Sequence, residues 1–164
     1  MIKKIIVFMV AILFTSQVLG LGELTNKQEY NVKFLNDQMS NVLEREPGKF
    51  LYSIQLFKAE VIKLNKEAFG LKSDTIDKAA AKIEQIAVAV TNSIKMAQAL
   101  TKSADLKALN TRLNELNDQL STVKSSLAKN FKTEKREQAK NYELKVIEVL
   151  EILIDDAIAS VSLS

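Results

Sequence analysis

The sequence predicts an all-α protein: an antiparallel bundle of four to five amphipathic helices preceded by a signal peptide. Three observations carry that reading. The 164 residues include one Pro and four Gly, too little turn chemistry for a many-stranded sheet. Apolar residues recur at spacings of three and four through most of the chain. The first 22 positions follow the basic, apolar and small-residue layout of a secretory leader.

In that leader, Lys3 and Lys4 precede an apolar run from Ile5 to Phe14, and Gly20 and Gly22 supply small residues for cleavage. A cut after Gly20 places Val18 three positions from it, and a cut after Gly22 does the same for Gly20. The reading assigns residues 1–22 to the leader and 23–164 to a single helical domain. An uncleaved anchor over residues 5–21 is the alternative, and both put the remainder outside the cytoplasm.

The first helix is expected to open at Thr25, with Gln28 completing a capping box, and to carry Val32, Leu35, Met39 and Val42 on one face. Pro47 and Gly48 end it. Pro47 lacks a backbone donor and disfavours helical angles at Glu46; a kink there would instead give one continuous helix and a four-helix bundle. The second helix aligns Phe50, Ile54, Phe57, Val61, Leu64 and Ala68, and Gly70 provides its C-terminal stop.

Ser73 or Asp74 is expected to cap the third helix, whose apolar face runs from Ile76 to Leu100 and is rich in alanine. The fourth, capped near Ser103, holds the strictest pattern: Leu106, Leu109, Leu113, Leu116, Leu120, Val123 and Leu127. That seam serves either internal packing or oligomerisation. Its weakly charged flanks favour packing, and a monomer over a coiled-coil oligomer. Residues 129–141 read as an exposed charged connector, with Phe131 and Ala139 as its apolar members. The fifth helix runs from about Glu134 to Ser160, with Lys145, Glu148, Glu151 and Asp155 as a narrow polar stripe.

The composition excludes much chemistry. Without Cys or His there is no thiolate nucleophile, disulfide, imidazole base or Cys/His zinc site. The stripe at Glu148, Glu151 and Asp155 reads as a solvated face rather than a metal site, and Ser126 with Lys129 lacks the burial a Ser/Lys dyad needs. No catalytic residue, cofactor or metal is therefore expected, and the chain is read as a non-enzyme. Losing Lys3 and Lys4 with the leader leaves 21 basic residues against 20 acidic, a net +1. Arginine occurs only at 45, 112 and 136, so nothing favours a nucleic-acid partner.

What remains is a secreted or otherwise extracytoplasmic, cysteine-free bundle that binds a macromolecular partner, a host or cell-surface component. The alternative is a carrier of lipid or another apolar ligand, for which Met39, Phe50, Phe57 and Phe69 form the candidate pocket, while their helical spacing favours ordinary core. In architecture alone the pattern resembles exchangeable lipid-carrying apolipoproteins and helical surface proteins of microbes and parasites.

Overall fold

A computed structural model describes residues 22–70 and 74–162. The expected leader lies outside the described residues except for Gly22. Among those residues the chain forms five helices and no strand: α1 Asn26–Leu43, α2 Gly48–Phe69, α3 Thr75–Ala97, α4 Ser103–Ser126 and α5 Glu134–Ser162.

The ends of the helices follow local chemistry. Thr25 caps α1 through a complete capping box: its hydroxyl accepts from the Gln28 N–H at 3.2 Å, and Gln28 Oε1 accepts from the Thr25 N–H at 3.0 Å. At the other end Arg45 takes a φ of 81°. The Glu46 N–H then reaches back to the Asn41 carbonyl at 2.7 Å, and the Arg45 N–H to that of Val42 at 3.2 Å. This pair of bonds is a Schellman stop, so the chain breaks rather than kinks before Pro47. Gly70, with a φ of 84°, ends α2, and Asp74 caps α3 by accepting from the Ile76 N–H at 3.1 Å. Ser103 begins α4 but does not cap it; Lys102 holds the cap position with no side-chain bond. α3 stops at Ala97, short of the expected Leu100, which packs against the core from the turn.

Contacts between α2 and α3 run in reversed register. Lys58 meets Glu84, while Asn65 near the end of α2 meets Asp74 at the start of α3. Lys124 of α4 pairs with Glu151 of α5 at 3.1 Å. α5 packs against all four other helices and carries the largest share of the core, including Tyr142, Val146, Leu150, Leu153 and Ile154. The leucine seam of α4 is buried within the one chain, against α3 and α5.

The connector into α5 is largely exposed, but Phe131 anchors it. Phe131 is buried beneath three cations, with Arg136 at 4.7 Å, Lys129 at 5.4 Å and Lys140 at 5.8 Å from its ring centre. Lys140 is itself buried, donating to the Lys129 carbonyl at 2.9 Å and pairing with Glu137 at 2.8 Å. Burial alone would raise the Glu137 carboxyl, but donation from Lys140 and from the Phe131 N–H brings it below the ordinary value.

Candidate functional site

The site with the most distinctive chemistry lies between α1 and α2, over the first half of α5. Its foundation is a polar layer. Asn31 on α1 donates to the Tyr142 hydroxyl of α5 at 2.7 Å and to the Ser53 carbonyl of α2 at 3.3 Å, and the Ser53 hydroxyl donates back to Asn31. Gln28, fully buried one turn away, reaches Glu60 of α2 and Gln138 of α5, each at 3.4 Å. Three helices are thereby held in one register by side chains that would be costly to bury unpaired.

Tyr142 joins this layer to the core. Its ring meets Phe57 edge-on, centroids 5.0 Å apart, a contact worth about 1 kcal/mol beyond burial. Burial pushes its hydroxyl up to about 12, partly offset by the hydrogen bond from Asn31 and reinforced by the charge of Glu60.

Above that floor is a concavity of 520 Å³ lined by Tyr30, Asn31, Leu56, Ala59, Leu64 and Tyr142, with Lys27, Lys63, Glu60 and Glu67 among its charged residues. Tyr30 is 70% exposed, Leu56 49% and Tyr52, one helical turn before Leu56, 62%. Large apolar groups are thus left in water on two adjoining helices. The carboxylates are engaged elsewhere: Glu60 accepts from Gln28, and Glu67 pairs with Lys135 at 2.8 Å, which holds its carboxyl below the usual range with Lys63 adding to the effect. Lys27 forms no ion pair among the described residues. The face therefore offers aromatic and aliphatic surface with available positive charge.

The groups expected to form an apolar-ligand pocket sit elsewhere. Phe50 and Phe57 are enclosed in the core, Met39 packs partly buried against it, and none of the three lines the cleft. The side chain of Phe69 lies outside the described residues. Along α5, Lys145 and Glu148 pair in solvent at 3.3 Å, and Asp155 and Asp156 both face outward. Among the described residues no group of three or more acidic side chains is placed to hold a metal ion.

Sequence reasoning missed the polar layer, although its signal was present. Asn31 lies four positions before Leu35, and Ser53 three after Phe50 and four before Phe57. Polar residues in phase with an apolar stripe are carried to the buried side of the helix. The same phase marks Glu143, four after Ala139 and three before Val146.

No known protein family matches the chain, nor does any curated protein or solved structure. The functional reading therefore rests on these residues alone.

Proposed function

We propose that this chain is an exported, non-catalytic antiparallel helical bundle that binds a protein or cell-surface partner through the α1–α2 cleft. The observation that carries the reading is the joint exposure of Tyr30 and Leu56 on the walls of a concavity above a closed core, with Tyr52 exposed one helical turn before Leu56. Exposed tyrosines backed by rigid packing are characteristic of protein-binding surfaces, where they supply contact area at small entropic cost. The groove between two helices suits an amphipathic segment with spaced apolar anchors, and Lys27 and Lys63 favour acidic residues at its edges. The two concavities between α3 and α4, by contrast, have no aromatic group among their lining residues.

One observation favours a second reading. A 520 Å³ cleft with apolar walls and two lysines also has the size and charge for a small apolar anion such as a fatty acid.

Labelled mature protein applied to a panel of cell surfaces and extracellular proteins tests the proposal. Saturable binding is expected, lost in a Tyr30→Ser, Leu56→Asp double variant of unchanged helicity and melting temperature. A Val88→Ser, Met96→Ser control on α3 should bind normally. Equal binding by both variants, or no saturable binding, refutes the assignment.

A further inference from the structure

We propose that the chain is processed between Gly20 and Leu21, so that the mature protein begins at Leu21 and retains Gly22 as a structural residue. The proposal rests on the export reading above, which supplies the leader. Both Gly20 and Gly22 satisfy the small-residue preference of a leader peptidase, so the leader alone does not choose between the two cuts.

The fold does. Gly22 is buried with a φ of +82°, a conformation that side-chain-bearing residues rarely adopt. A Cβ at this position would lie 2.7 Å from Asn141 Nδ2 and 3.0 Å from Glu137 Cβ, so it would push the Asn141 amide aside and crowd Glu137 on α5. Its carbonyl accepts from Asn141 Nδ2 at 2.7 Å, and the carbonyl of Glu23 accepts from Gln138 Nε2 at 3.0 Å. The positive φ and the close approach to α5 account for glycine at 22, and the carbonyl hydrogen bonds fix this stretch of chain on α5. Gly20 is left as the small residue that the peptidase requires. A cut after Gly22 would remove the acceptor that Asn141 uses and place an ammonium on Glu23 at the same spot.

Expression of the full chain with its own leader in a secretion-competent host, followed by intact mass and N-terminal sequencing of the exported protein, tests this. Leu21 is expected as the first residue; a start at Glu23 overturns the proposal and leaves the export reading standing. An exported fraction that retains residues 1–20, or no export, overturns both. Gly22→Ala supplies the second readout, because alanine is equally acceptable to the peptidase. If Gly22 is retained in the parent, the exported variant keeps the substituted alanine as its second residue and melts a few degrees lower. If residue 22 is removed, variant and parent are the same molecule and melt together, which also overturns the proposal.

Discussion

Glu143 is fully buried on α5, and neither carboxylate oxygen has a hydrogen-bond partner. Burial, with the charges of Asp77 and Asp74 on the neighbouring helix, pushes its carboxyl well above the ordinary value. The folded chain therefore holds this proton more tightly than the unfolded chain does. Its contribution is most favourable below the ordinary carboxylate range, declines as pH rises through that range, and levels off above the folded value. Glu143→Gln should raise the melting temperature at neutral pH and flatten its dependence on pH above about 5, as measured by thermal melts across a pH series. Tyr142 carries the alkaline counterpart. With its hydroxyl raised from 10.0 to about 12, folding loses stability as pH climbs between those values. Tyr142→Phe should remove that loss while costing about 1 kcal/mol at neutral pH, because Asn31 forfeits a bond. Ultraviolet titration should show one late tyrosine transition in the parent and none in the variant.

At the scale of the element, stability follows from caps, stops and in-phase apolar groups. Thr25→Ala removes one half of the capping box of α1 and should cost about 1 kcal/mol in chemical denaturation. Leu113→Ala opens a cavity where α4 meets α3 and α5 and should cost about 3 kcal/mol with the mass of the native species unchanged. Phe131→Ala should cost about 3 kcal/mol, a loss an exposed linker would not show. The helices themselves were legible because their breaks are chemical: the Pro47 turn, Gly70 and Asp74 each stop or start a helix by backbone demand. Phe131 was not legible, since its burial depends on Arg136 and Lys140 returning over it once α5 has formed. The candidate site was legible only in fragments. The aromatic content of α2 pointed to the right helix, and helical spacing favoured core for Phe50 and Phe57, where they lie; the alternative pocket at these residues does not form. Tyr30 and Leu56 fall outside the apolar stripes and acquire meaning only when α1 and α2 are placed side by side.

Across the whole molecule, α5 is the axis on which the other four helices assemble, and the chain before α1 is tied to it through Asn141 and Gln138. Its apolar faces are largely consumed in that assembly. Among the described residues no helix is long and apolar enough to cross a membrane. The cleft between α1 and α2 stands out against this closed interior, which is why binding is assigned to a surface rather than a cavity. A native mass spectrum of the exported, gently purified protein, recorded with whatever small molecules travel with it, tests that assignment most directly. The account predicts a ligand-free monomer, its core closed and its cleft open until a macromolecular partner is supplied. A stoichiometric lipid or fatty acid on the protein, or an obligate oligomer through α4, would contradict it.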